Sequence, residues 1–135
     1  MRVTLITAQI RGALTGVALA LLAAGTAQAA GDVARGGAIV ASRSTGLCVL
    51  CHALPGQPAH AQGTLGPALA GVGAHLGAGS LRQHLLAPEQ FNPDTVMPSY
   101  GRTNGLQRVA SAQQGKPLLS TAQLDDVVAY LASLQ

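Results

Sequence analysis

Tryptophan is absent from this chain, phenylalanine occurs once and tyrosine twice, so aromatic residues make up 2% of its 135 positions. Aromatic rings dominate the buried area of most cores, and a chain that spends 17 positions on glycine has little side-chain volume for an interior. Charge is scarce too, at 10%. Beyond position 29 there are six basic residues against five acidic ones, which excludes the basic stripe that a nucleic-acid surface needs. Cysteine occurs twice. That rules out a disulfide framework and leaves a cysteine-rich zinc site without its second pair of ligands. No apolar run reaches the roughly 20 residues of a membrane-spanning helix. There is no βαβ pattern, internal repeat, charge block or second domain.

At the amino end, Arg2 and Arg11 supply positive charge, Ala13 to Ala24 is apolar except at Thr15 and Gly16, and Ala27-Gln28-Ala29 offers a small-x-small cleavage site. This pattern predicts a secretory signal peptide over residues 1–29, an uncleaved anchor being the competing reading. Residues 30–135 are then the mature domain, exported to the periplasm and without a membrane span after cleavage.

The two cysteines stand in Cys48-Val49-Leu50-Cys51-His52, the C-x-x-C-H pattern of covalent c-type haem attachment. Two thiols three residues apart on a helical turn reach the two vinyl groups of one porphyrin edge, and the imidazole that follows falls under the iron. A Cys48–Cys51 disulfide and a thioredoxin-like redox pair are the competing readings of the same spacing. Haem also answers the thin interior. A domain of this size is marginal unless something adds buried area, and a large apolar disc does so. Two ionised propionates would bring the mature protein from near +1 to about −1.

The remaining chain reads mainly as helix and loop. Asp32 is a candidate N-cap for a helix running to Arg43, with Val33, Gly36 or Gly37, and Val40 on one face. Adjacent glycines cost about 1 kcal/mol each inside a helix, which points to a close helix–helix approach, a frayed start being the alternative. Leu47, Val49 and Leu50 would pack around the porphyrin. Pro and Gly mark a loop over 53–64. The Pro67 carbonyl could accept the Nδ1 proton of His52 and fix its tautomer, although Gly66-Pro67 is also an ordinary turn. Ser80 is predicted to cap a helix from Leu81 to Ala87, with Leu81, Leu85 and Leu86 on one face. Residues 101–119 look irregular. Leu124, Val127, Val128, Leu131 and Leu134 then recur at helical spacing, with Ser120 and Gln123 as a capping box and Asp125 and Asp126 in the first turn. That stripe is expected to pack on the first helix.

For the sixth position on iron, Met97 is the only methionine beyond the leader. It lies between Pro93 and Pro98, in a loop stiffened by both. His60, His75, His84 and Lys116 compete with it, and an open site is the further alternative. Met/His ligation raises the reduction potential, and a six-coordinate iron leaves no place for substrate. Electron transfer is expected over catalysis, a haem gas sensor or peroxidase-like enzyme requiring the open site.

These residues together resemble the SoxX family, monohaem cytochrome c subunits of the SoxAX complex of thiosulfate oxidation. The resemblance spans nearly the whole mature chain: Gly31-Asp32, Gly46-Leu47 with the haem motif, Leu65-Gly66-Pro67, Asn92 to Tyr100, Gly115-Lys116-Pro117, and Val127-Val128-Ala129-Tyr130-Leu131. It implies a mainly α, class I cytochrome c-like fold with its first and last helices packed together around one haem c. The haem would be bound through Cys48 and Cys51, with His52 and Met97 as axial ligands. It further implies a SoxA-type haem protein as partner and, through it, a SoxYZ-type carrier protein. In that assembly, an L-cysteine S-thiosulfotransferase, this chain would pass electrons to a soluble cytochrome and hold no catalytic residue. A freestanding cytochrome serving a terminal oxidase is the alternative.

Overall fold

Asp32 closes the amino end of the first helix by accepting the Arg35 N–H at 2.8 Å, and the chain then runs as α1, Val33–Ala41. The computed structural model describes residues 31–135, so the expected signal peptide lies outside them. After α1 come α2 (Val72–His75), α3 (Ala78–Leu86) and α4 (Thr121–Ser133), with single 3₁₀ turns at Cys48–Leu50, Ala59–Ala61, Pro88–Gln90 and Ser111–Gln113. The described residues form no strand. This order, with α1 and α4 packed together, is the one expected of a mainly α, class I cytochrome c-like fold.

The capping box at the start of α4 forms in both directions, Ser120 to Gln123 and back. Leu124, Val127, Val128 and Leu131 are buried as the periodicity predicts, and Leu134 is partly buried. Their main partner is α1, which crosses α4 closely because Gly36 has no side chain. A Cβ at Gly36 would overlap the Asp126 carbonyl oxygen, and one at Gly31 the carbonyl of Asp125. The adjacent glycines therefore serve a close approach, and α1 is not frayed. Val40 completes the contact at 0% exposure. α3 packs on the other side of α4 through Leu81 and Leu85.

Several local expectations are corrected by tertiary partners. The first helix stops at Ala41, and Val33 is exposed. α3 begins after Gly77 instead of Ser80, and Leu86 faces solvent. Asp125 and Asp126 lie beyond the first turn of α4. They hold other elements: Asp125 pairs with Arg82 of α3, and Asp126 with Arg35 of α1, from Nε at 2.8 Å and Nη2 at 3.0 Å. Asp126 also accepts the backbone N–H of Asp32 at 2.6 Å. One carboxylate on α4 thus satisfies an amino-terminal donor of α1 and a guanidinium at once.

The hydrogen bond from Arg35, followed by that from the Asp32 N–H, holds the Asp126 carboxyl below the usual carboxylate range. A depressed folded-state pKa contributes stability that is complete above the unfolded value of about 3.9 and is lost as pH falls through the folded one. Thermal melts of the wild type are therefore expected to show a drop in Tm below about pH 4 that is shallower in Asp126→Asn. Parallel pH profiles for the two proteins would remove this carboxylate as the cause.

Candidate functional site

The turn that carries the two cysteines is entered through Leu47, which adopts a left-handed conformation at φ 63°. A branched side chain pays for that backbone. The Leu47 N–H returns to Ser42 O at 2.9 Å. Cys48, Val49 and Leu50 form the 3₁₀ turn, and the N–H groups of Cys51 and His52 both close onto Cys48 O, at 3.1 and 2.9 Å. Cys48 and Cys51 are free thiols, the first buried and the second partly exposed. Burial raises the pKa of Cys48. Val49 belongs to the protein core at 2% exposure, whereas Leu50 is 41% exposed.

Downstream, the chain doubles back along this turn. Gly63 N–H donates to Val49 O at 2.8 Å, Gly66 N–H to Cys51 O at 2.8 Å, and Leu69 N–H to Ala53 O at 2.9 Å. Those three bonds lay Gly66-Pro67 against the His52 ring. His52 Nδ1 lies 2.7 Å from Pro67 O. Since a carbonyl only accepts, Nδ1 carries the proton. Nε2 makes no hydrogen bond among the described residues and keeps its lone pair for a metal. A Cβ at Gly66 would run into the imidazole, so the cradle accepts the ring only because position 66 is bare.

Met97 sits in the loop between α3 and α4, partly buried against the core that includes Cys48. Its N–H is held by Thr95 Oγ1 at 3.1 Å. Two residues on, Ser99 donates to Glu89 at 2.8 Å. Backbone hydrogen bonding at Glu89, followed by that bond, holds its carboxyl below the usual range. The competing ligands are placed otherwise. His60 and His75 are exposed, and Lys116 donates to Ala112 O at 2.9 Å. His84 is half-buried, stacked on Phe91 with ring centroids 3.6 Å apart.

A haem suits these residues on the structure's own terms: a thiol pair on one turn, an imidazole with its tautomer fixed and Nε2 free, and a thioether on a stiff loop. Large apolar side chains stand exposed beside both groups, Leu65 at 73% next to Gly66 and Val96 at 77% next to Met97. Surfaces of that kind favour an apolar partner. Among the described residues no cluster of three or more His, Cys, Asp or Glu could hold a bare ion, and no helix is long and apolar enough to cross a membrane. A cavity of about 390 Å³ beside Thr103, Leu106 and Arg108 contains none of the predicted site residues.

Sequence reasoning missed Tyr100. It is 3% exposed; its hydroxyl donates to Gly46 O at 2.7 Å and lies 3.6 Å from Cys48 Sγ. Burial, followed by the neighbouring Cys48, raises its pKa well above the tyrosine range, so the phenol keeps its proton. The available signal was rarity: a chain with three aromatics beyond its leader seldom leaves one idle.

Comparison with known proteins fits this geometry. The Cytochrome c family model matches residues 33–135. Among solved structures, a chain of "Crystal structure of SoxXA from P. pantotrophus" is 30% identical, with a TM-score of 0.71 over 79% of this chain and 84% of that one. No curated protein matches.

Proposed function

This chain belongs to the cytochrome c family, as a SoxX-type monohaem member, and from that premise we propose that Cys48 and Cys51 carry its haem between His52 and Met97. A cytochrome c transfers electrons through covalently bound haem c, which supplies a one-electron Fe(III)/Fe(II) couple. The observation that carries the residue assignment is the 2.7 Å contact between His52 Nδ1 and Pro67 O. It fixes the imidazole one residue after the second thiol, with the metal-binding nitrogen free. Met97 is the candidate for the opposite face, held in a loop bounded by prolines and tied down at Thr95 and Ser99.

The partner we propose is a SoxA-type haem protein, because the similar solved chain comes from a SoxXA complex. In that assembly the chain accepts electrons released when thiosulfate is joined to a SoxYZ-type carrier cysteine and passes them to a soluble cytochrome. Residues 1–29 direct export to the periplasm, and 30–135 are the working domain. No cysteine of this chain is left to act as a nucleophile, since both are consumed as thioethers.

Expression of the full chain in a bacterium with a c-type maturation system tests this. Mass spectrometry under denaturing conditions is expected to show a chain shortened at its amino end and retaining one haem. Two unmodified thiols, or a Cys48–Cys51 cystine, would sink the assignment. Co-expression with a SoxA-type protein is expected to give a stable heterodimer. A protein that stays monomeric beside that partner at high concentration would instead be a freestanding shuttle.

A further inference from the structure

Tyr100 joins three elements through four contacts. Its N–H donates to Leu85 O at the end of α3, at 2.9 Å, and its carbonyl accepts from Leu119 N–H, just before α4, at 3.2 Å. Its side chain crosses the core to the attachment turn, where the hydroxyl donates to Gly46 O and touches Cys48 Sγ. Met97 lies three residues upstream on the same loop. The loop offering the sixth ligand is therefore tied to the turn offering the covalent link by one phenolic proton.

The chemistry of attachment makes this proton more important. Gly46 is buried, and its carbonyl accepts from two groups, the Tyr100 hydroxyl at 2.7 Å and the Cys48 thiol at 3.3 Å. Thioether formation adds the Cys48 S–H across a vinyl C=C. The sulfur bonds to one carbon and the proton goes to the other, so no electrons are left over. The product sulfur has no hydrogen to donate. Tyr100 then remains the one side-chain donor to a buried carbonyl, and buried carbonyls without partners are costly.

We propose that Tyr100 is a positioning residue for iron ligation, its hydroxyl holding the Met97 loop against the haem-attachment turn once Cys48 has become a thioether. The inference rests on the assignment of Met97 as ligand. The ring fills the core; the hydroxyl sets the register between the two ends of the haem crevice. Removing the hydroxyl alone frees the loop to move, and Met97 leaves the iron more often.

The test uses holoprotein from the full chain: wild type, Tyr100→Phe, Met97→Ala and Asp126→Asn. Tyr100→Phe is expected to keep both thioethers and its helix content and to bind CO, in the reduced state, about tenfold faster than wild type, the scale of one lost hydrogen bond to a buried group. Its oxidised sulfur-to-iron charge-transfer band should weaken at neutral pH. Asp126→Asn loosens the helix pair elsewhere and should lower Tm without changing CO binding, which separates positioning from general destabilisation. Wild-type CO kinetics in Tyr100→Phe would overturn the proposal. So would failure of that variant to accumulate as holoprotein while Met97→Ala accumulates normally, because the hydroxyl would then serve folding or attachment. If Met97→Ala keeps its charge-transfer band, the ligand assignment itself falls and takes this inference with it. If that band is lost and Tyr100→Phe is unaltered, only the role of Tyr100 fails.

Discussion

Gly36→Val is expected to destabilise the domain by about 3 kcal/mol or more, the upper end of what inserting side-chain bulk into a packed contact costs. At the scaling of a domain this size, that lowers Tm on the order of 10–20 °C. The reason is where the new atoms would go. A Cβ at position 36 overlaps the Asp126 carbonyl oxygen and presses on Tyr130 Cβ, and backbone on a packed helix cannot turn aside as a side-chain tip can. α1 must withdraw from α4, which takes Asp126 out of reach of the Asp32 N–H and the Arg35 guanidinium. The neighbouring glycine makes the control. A Cβ at Gly37 meets the Tyr130 ring at 3.1 Å, and a ring edge can shift by tenths of an ångström. Gly37→Ala also gains about 1 kcal/mol of helix propensity, so it should fall near wild type or above it. Thermal or denaturant melts of the two variants check this. Equal effects at 36 and 37 would mean that helix propensity, and not the crossing, governs this segment.

Met97→Ala is expected to leave the haem attached while lowering the midpoint potential by a sizeable part of the roughly 0.8 V range over which axial ligands tune haem iron. The thioether favours Fe(II), and its loss removes that preference. The reduced protein should then take up CO without denaturant. Potentiometry and optical spectra of the oxidised protein read both effects. An unchanged potential with no CO uptake would assign the sixth ligand elsewhere. His84 is the first place to look, since its stacking on Phe91 at 3.6 Å keeps it closer to the interior than His60 or His75.

Features written in consecutive residues could be read before any coordinates. The spacing of Cys48, Cys51 and His52 needs one turn of chain, and the Ser120–Gln123 capping box needs four residues; both describe geometry the backbone closes locally. The stripe on α4 was legible because burial of one face repeats every turn. Gly36 and Gly37 were legible as a cost that something had to repay, although sequence could not say that the two would face such different neighbours. What escaped depended on partners far along the chain. Asp126 looks like a first-turn acid until α1 arrives to use it, and Ser80 looks like a cap because nothing local reveals that Gly77 starts the helix. Leu86 fits an apolar face by spacing and yet points outward. Tyr100 escaped most fully, since its partner Gly46 lies 54 positions earlier and offers only a backbone carbonyl, which no residue type advertises.

The clasp between Asp126 and the Asp32 N–H joins positions 94 residues apart. A polypeptide emerging amino end first has nothing to seat its opening helix against until its last turns are out, and such distant closures are slow. Throughout that delay the sulfur of Cys48, shut away at 8% exposure in the finished domain, is still within reach of whatever delivers its prosthetic group. Shortening the tail would keep the assembly window open but leave the product unsealed.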